Sequence, residues 1–284
     1  MVSTVILTKD EADDLPGCLK SLAWCDDVHV VDSGSKDDTV QIARKAGATV
    51  WNHAFDSFGC QRNWALDTCA LQHPWILFLD ADERSTPRFV DGLYYAVRSC
   101  SADIAGYFCC WKLMMEGRWL RRCDAFPRWQ FRVVRKGHAR FCDFGHGQKE
   151  ADVIGRIGYI AEPYLHFAFS KGWSHWFDRH NHYSTREATA RLAASYSWRD
   201  VRRAKGMHRA AVYKTLLARY RAWPLARFLY SYLWKLGCFE GRPGWIYCVN
   251  MAYYEFMIQL KMQELSSVAK ETNDQEAAKQ RAGG

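Results

Sequence analysis

Five apolar residues in a row, Trp75-Ile76-Leu77-Phe78-Leu79, lie between Pro74 and the acidic run Asp80-Ala81-Asp82-Glu83. The run is too short for a typical helix and is bounded by a breaker and by polar residues, so it reads as a buried strand. On extended backbone, residues two apart project to the same face, which puts Asp80 and Asp82 together at the strand's carboxyl end. Carboxylates so placed can share one hard divalent cation, Mg²⁺ or Mn²⁺, through oxygen ligands. In open α/β sheets, ligands bind beyond the carboxyl ends of the strands, where this pair would sit.

A buried strand needs neighbours, and the sequence supplies them. Residues 4–8, 28–31 and 48–51 read as further strands, and helices are expected at 13–24, from 38 to a stop at Gly47, at 58–69 and from Thr86-Pro87 onward. Strands alternating with short helices give an α/β class with a mostly parallel, doubly wound sheet. From Ala105 the alternation loosens, and 106–115, 128–134 and 157–169 look extended, as in a mixed or antiparallel edge of the same sheet. Past Trp173 the pattern is helical, and 266–284 reads as a frayed helix end or polar tail. Three parts are expected: a sheet domain at 1–170, a basic, aromatic helical region at 171–265 and a tail at 266–284.

Charge divides the same way. Residues 1–111 hold 9 Lys/Arg against 16 Asp/Glu, and residues 112–284 hold 30 against 15. An acidic front suits a metal site; a basic, aromatic back suits an anionic membrane surface, a phosphorylated acceptor or nucleic acid. Nucleic acid is disfavoured because no helix-turn-helix, RRM or OB pattern accompanies the charge. A nicotinamide-dependent oxidoreductase is disfavoured because no GxGxxG follows the first strand. Arg227, Lys235, Glu240 and Arg242 interrupt every run that approaches the ~20 apolar residues of a membrane span, so the helices suit a membrane surface instead. Nothing at the N-terminus resembles a signal peptide, which places the body of the chain in the cytoplasm. The eleven cysteines form no CxxC pair and read as reduced thiols.

A second acidic strand end is Val30-Val31-Asp32-Ser33-Gly34-Ser35. Its Asp can accept from a ribose hydroxyl or a base N–H, and the Ser/Gly turn lets backbone approach a ligand. Many α/β turns share this composition without binding anything.

Four segments stand in the order and spacing of family 2 glycosyltransferases: Val5-Ile6-Leu7-Thr8-Lys9-Asp10-Glu11, Val31-Asp32-Ser33-Gly34-Ser35 with Asp38-Thr39, Gln61-Arg62-Asn63-Trp64-Ala65-Leu66, and Leu79-Asp80-Ala81-Asp82-Glu83. The chain resembles that family over roughly residues 2–90. His166-Phe167 with residues 179–188, and Leu236-Gly237-Cys238-Phe239-Glu240-Gly241-Arg242-Pro243-Gly244, resemble its lipopolysaccharide core β-glucosyltransferase branch. The resemblance implies a GT-A fold, Rossmann-like with an antiparallel edge, occupying 1–170 as a nucleotide-sugar-binding catalytic domain. It implies inverting transfer of a sugar, such as glucose, from a UDP-linked nucleotide-diphospho-sugar to a lipopolysaccharide-core or other cell-envelope saccharide. The enzyme would lie peripherally on the cytoplasmic face of a bacterial inner membrane. An alternative acceptor is polyprenyl phosphate, although enzymes of that kind often carry transmembrane helices.

The resemblance also implies roles. Asp82 is the direct metal ligand, and Asp80 contacts ribose or the metal's water shell. Thr8, Glu11 and Asp32 line the nucleotide pocket, and Arg62 stands near the diphosphate, which a guanidinium can pair bidentately. The alternatives on sequence grounds are a solvated helix residue for Arg62 and a helix N-terminal carboxylate for Glu11. The general base is expected in a His-Glu-like pair, but here Phe144-Gly145-His146-Gly147-Gln148-Lys149-Glu150 separates the two. Glu150 is the first candidate, with Asp143 and His146 after it. His166 is expected at a phosphate or the acceptor, and Arg179 and Arg186 near the acceptor groove or facing solvent or lipid. His175, His180 and His182 lack the spacing for a second metal.

Overall fold

The computed structural model describes residues 1–124, 126–144, 147–194, 196–204 and 206–282. The chain divides into two compact units, Met1–Gly172 and Trp173–Gly284.

The first unit opens with β1 (Val2–Thr8), α1 (Leu15–Ser21), β2 (Val28–Asp32), α2 (Thr39–Lys45), β3 (Thr49–Asn52), α3 (Phe58–Thr68) and β4 (Trp75–Asp80). It continues through β5 (Glu83–Arg84), α4 (Pro87–Ser99), β6 (Ile104–Met115), β7 (Arg118–Trp119), β8 (Trp129–Arg135), β9 (Arg140–Phe144), β10 (Gly147–Ala151) and β11 (Arg156–His166). The main sheet runs β3-β2-β1-β4-β8-β6-β11-β5, with β7 against β6. β1 to β4 are parallel to one another, β8 runs antiparallel between β4 and β6, and β11 is parallel to β6. The mixed edge expected from the loosened pattern is therefore β8, β6, β11 and β5.

The core explains why the central strands are apolar without alternation. Ile6, Val30, Leu77 and Leu79 face one cluster with Leu15, Cys18, Phe89 and Leu93 of α1 and α4. Their strand neighbours Val5, Val31, Ile76 and Phe78 face another with Ala65, Leu66, Phe131 and Phe141. Strands covered on both faces need apolar side chains in both directions. Caps set two helix starts: the Ser57 hydroxyl accepts from Cys60 N at 3.2 Å, and that of Thr86 from Phe89 N at 3.1 Å, ahead of Pro87.

The hairpin of β9 and β10 was not expected. It stands apart from the main sheet and packs on α3, where Asn63 exchanges two hydrogen bonds of 2.9 Å with the Phe141 backbone. Gly59 permits the approach, since a Cβ there would lie 3.0 Å from the Cys142 carbonyl carbon.

The second unit is helical: α5 (Gly172–Ala193, which starts at the last residue of the first unit), α6 (Trp198–Arg203), α7 (Gly206–Leu217), α8 (Trp223–Leu229), a π-helical turn (Tyr230–Trp234), a 3-10 turn (Gly237–Glu240) and α9 (Gly241–Ala282). Backbone helix thus continues through most of the expected tail. Arg191 of α5 and Glu255 of α9 form a buried ion pair at 2.8 Å, and Trp223 Nε1 donates to the same carboxylate at 2.9 Å. Among the described residues, no helix is long and apolar enough to cross a membrane. All eleven cysteines are free thiols.

Candidate active site

Parallel pairing aligns the acidic residues. Thr8 of β1 pairs with Asp32 of β2, and Leu7 pairs with Asp80 of β4, so both aspartates reach the same carboxyl edge of the sheet. β11 runs parallel to β6 and ends at His166, opposite Glu83 of β5. The sharp turn from β4 to β5 holds Asp80 and Asp82 at this edge.

Asp80 is clamped between two arginines. Arg132 Nη2 donates to its Oδ2 at 2.7 Å, and Arg62 Nη2 to its Oδ1 at 3.1 Å. Both guanidinium side chains are only 1% exposed, whereas that of Asp80 is 39% exposed. Burial disfavours the Asp80 charge, but Arg132 and Arg62 outweigh it and hold the carboxyl well below the usual range. Burial lowers Arg62 to about 10 despite Asp80. Glu83 completes the group: it accepts from Arg132 Nη2 at 2.6 Å, from the Tyr164 hydroxyl at 3.1 Å and from Asp80 N at 2.8 Å. Burial pushes Glu83 upward against the pull of Arg132. Two cations and two anions therefore stand in one cluster, buried except for the open side of Asp80. Arg132 Nε and Nη1 are buried without a hydrogen-bond partner.

This arrangement alters two expectations. Arg62 spends Nη2 on Asp80 and Nη1 on the Phe58 carbonyl at 3.2 Å, so its fork is turned inward and not toward a diphosphate. Asp80 has both oxygens on guanidinium groups, so as placed it is a poor direct metal ligand.

Asp82 has a different neighbour. His166 Nε2 lies 3.3 Å from its Oδ2, and Phe167 N donates to its backbone carbonyl at 2.8 Å. Burial disfavours the imidazolium, but Asp82 and then Glu83 raise the His166 pKa. The edge of Trp111 packs on the ring at 5.9 Å, and Nδ1 is buried without a partner. His166, expected at a phosphate or the acceptor, stands beside the carboxylate expected to bind metal. A carboxylate suits either Mn²⁺ or Mg²⁺, and an imidazole beside it favours Mn²⁺, with the set to be completed by water and substrate phosphate oxygens. Among the described residues, no group of three or more His, Cys, Asp or Glu side chains is arranged to hold a metal ion by itself.

Thr8, Glu11 and Asp32 lie together at the edge. Asp32 is fully engaged: Oδ2 accepts from Gly34 N at 3.0 Å and Ser35 N at 2.9 Å, and Oδ1 from the Thr8 and Ser35 hydroxyls. Gly34, at φ +80°, supplies the left-handed backbone this turn requires. Asp32 therefore organises its loop, the alternative that the turn's composition left open. Glu11 pairs with Lys171 at 2.7 Å through Oε1, while Oε2 is buried without a partner. Burial raises the Glu11 carboxyl from 4.5 to about 7, against the opposing pull of Lys171. The first two loops are stitched together by Glu11 N to the Thr39 hydroxyl at 2.8 Å and Lys36 N to Asp10 Oδ1 at 2.7 Å.

The base candidates lie on the hairpin. Glu150 pairs with Phe141 and Gln148 with Asp143, which puts Asp143, Gln148 and Glu150 on one face of it. Asp143 accepts from Gly59 N at 2.9 Å, at the start of α3. Among the described residues, nothing bonds the Glu150 carboxylate. His146 lies outside the described residues.

Sequence reasoning missed Arg132 and Lys171. Arg132 carried a signal: it is a lone charge inside the apolar strand Phe131-Arg132-Val133-Val134, and a buried charge demands a partner. Lys171 carried none, since its role depends on a loop returning to β1.

Comparison with known proteins bears on the whole arrangement. Residues 3–146, just over half of the chain, match the model for Glycosyl transferase family 2. The chain is 24% identical over 275 residues to an uncharacterized glycosyltransferase of Rickettsia typhi, covering 93% of this chain and 87% of that protein. It is 26% identical over 145 residues to the lipopolysaccharide core biosynthesis glycosyltransferase LpsC of Rhizobium meliloti, covering 49% of this chain and 53% of that one. Other curated relatives match more locally, the chain spanning 20% and 36% of the length of two of them. The fold is similar to that of a mannosyltransferase from Pyrobaculum calidifontis solved with GDP-Man and Mn²⁺, with a TM-score of 0.52 over 92% of this chain and 86% of that one at 16% identity. With the mixed α/β sheet and the acidic strand ends on one edge, the family match over half its length settles the kinship: this chain belongs to glycosyl transferase family 2.

Proposed function

We propose that the protein is an inverting, metal-dependent glycosyltransferase that moves a sugar from a nucleotide-diphospho-sugar to a lipopolysaccharide-core or related cell-envelope saccharide. The observation that carries this reading is the Asp82–His166 pair at the carboxyl end of β4 and β11, beside an Asp80 held by Arg132 and Arg62. A UDP-linked donor and a hexose such as glucose follow from the motif resemblance, and the relationship to LpsC supports the class of acceptor.

Asp82 and His166 would hold the divalent ion. When bound there, such an ion acts as a Lewis acid toward the charge that builds on the leaving diphosphate. Asp80, kept ionised and oriented by its two arginines, is placed to accept from a ribose hydroxyl through its exposed side. Glu83 and Arg132 act through Asp80 and are positioning residues. Thr8 and Asp32 hold the turn on which the nucleotide lies, and Glu11 offers an unspent oxygen at its edge.

Glu150 is the preferred base, because Asp143 is occupied at the start of α3. Its carboxylate takes the proton of the acceptor hydroxyl as that oxygen bonds to the anomeric carbon. The anomeric carbon–phosphate oxygen bond breaks, and its electron pair leaves with the nucleoside diphosphate. One displacement of this kind inverts the anomeric centre.

Thermal melts with UDP, GDP and ADP, each with and without Mn²⁺, test the reading. A ligand at ~100 times its dissociation constant adds about 2.7 kcal/mol. The expected result is a rise in Tm with UDP that needs Mn²⁺. A flat response to every nucleotide overturns the assignment.

A further inference from the structure

From Trp223 to Glu240 the second unit runs through α8, the π-helical turn and the 3-10 turn with no extended segment. Leu225, Leu229 and Leu233 recur every four residues, so they line one side of this helical run, and all three are exposed. At its end Trp234 is 78% exposed and Phe239 71%, with Leu236 exposed between them in left-handed backbone at φ 59°. Large apolar side chains gain about 1.5–3 kcal/mol each from burial, and contiguous exposed patches of them mark interaction sites. The fold leaves that gain unused here.

The charges around this run have one sign. Arg219, Arg221, Arg227, Lys235 and Arg242 fall within residues 219–242, and the single acid there, Glu240, is buried. Arg219 and Arg221 are exposed at the start of the run. Exposed Leu, Trp and Phe side chains along a run whose exposed charges are all cations complement a layer that is anionic outside and hydrocarbon beneath. Tyr230, also exposed, adds the amphipathic ring typical of such a boundary.

We propose that residues 219–239 form a docking face for the surface of an anionic phospholipid bilayer. Trp234 and Phe239 enter the headgroup layer, and Arg219 and Arg221 meet lipid phosphates. The face belongs to the second unit alone, and binding requires neither donor nor metal. It can therefore fail while the glycosyl-transfer reading stands, and the reverse.

Co-sedimentation of the full chain with vesicles of phosphatidylglycerol and phosphatidylcholine, against phosphatidylcholine alone, tests the proposal. Partition onto the anionic vesicles should exceed that onto neutral ones at least ~10-fold and fall as salt screens the charges. Trp234→Ala with Phe239→Ala should weaken binding at least ~10-fold. Arg219→Ala with Arg221→Ala should weaken it about 5-fold per charge. Tyr95→Ala, at a 76% exposed position on α4, should change nothing. Circular dichroism melts matching the parent show that the variants fold. Equal partition onto both vesicle types, or wild-type binding by the Trp234/Phe239 variant, overturns the proposal. So does a concentration-dependent dimer that the same variant abolishes, since a second copy would then cover the face.

Discussion

Arg132 places Nη2 2.7 Å from Oδ2 of Asp80 and 2.6 Å from Oε1 of Glu83, joining two carboxylates three residues apart through one buried nitrogen. The arginine comes from β8, the antiparallel neighbour of β4, so the strand order itself delivers the cation to the acidic turn. Removing one partner of a buried ion pair leaves the others uncompensated, at a cost of about 3–5 kcal/mol. Arg132→Met should therefore lose stability on that scale in urea denaturation. Arg132→Lys should keep most of the stability, because one ammonium can still reach both acids. As a positioning residue, Arg132 should affect donor KM in the Lys variant more than it affects kcat. A Lys variant with wild-type KM contradicts the role.

Removal of metal separates Asp82 from Asp80. Chelation should abolish transfer, and Mn²⁺ should restore it in the parent. Asp82→Ala should leave less than ~1% of the turnover at any Mn²⁺ concentration, with an unchanged melt in the absence of ligands. Full turnover in saturating Mn²⁺ would remove Asp82 from the metal site.

The hairpin of β9 and β10 makes a distinct prediction. Glu150→Gln keeps the shape and removes the proton acceptor, so kcat should fall about 10²–10⁴-fold with little change in UDP affinity. Asp143→Ala should act mainly on stability, by roughly 1 kcal/mol, through loss of its bond to Gly59 N. The reverse pattern in steady-state rates and melts would exchange the two residues.

Glu11 sets a pH dependence. Its folded carboxyl is raised from 4.5 to about 7, so the fold favours the protonated form. The stabilisation this gives is fully present below pH ~4.5 and is lost as pH rises through about 7, on the order of 3 kcal/mol in all. Glu11→Gln should flatten this slope in denaturation curves taken from pH 5 to 8. An unchanged slope would place its origin elsewhere.

The order of elements up to β4, and the site edge, were legible because a strand buried on both faces must be apolar throughout. Trp75 to Leu79 shows this, and the polar run after it must then lie at the strand's end. The loop-holding part played by Asp32 was not legible, because a loop-holding carboxylate and a ligand-binding one demand the same residue types; its four donors from Thr8, Gly34 and Ser35 are visible only in the fold. The inward turn of Arg62 was not legible for a related reason. The resemblance implies a place near the diphosphate, and in the fold Phe78 and Phe141, whose rings lie 5.8 and 5.9 Å from its guanidinium, enclose it beside Asp80. His166 and Arg132 meet the acidic turn only through the pairing of β5 with β11 and of β4 with β8. Such contacts, across 49 to 84 residues of sequence, are fixed by topology, and local pattern does not reveal them.

The most direct test of the account is binding of Mn²⁺ in the presence of UDP, followed by electron paramagnetic resonance of the free ion. Asp82→Ala and His166→Ala should each weaken binding by at least ~10–100-fold, while His175→Ala should match the parent. Parent-like binding of Mn²⁺ by both site variants would contradict the pairing of Asp82 and His166 as the metal's protein ligands.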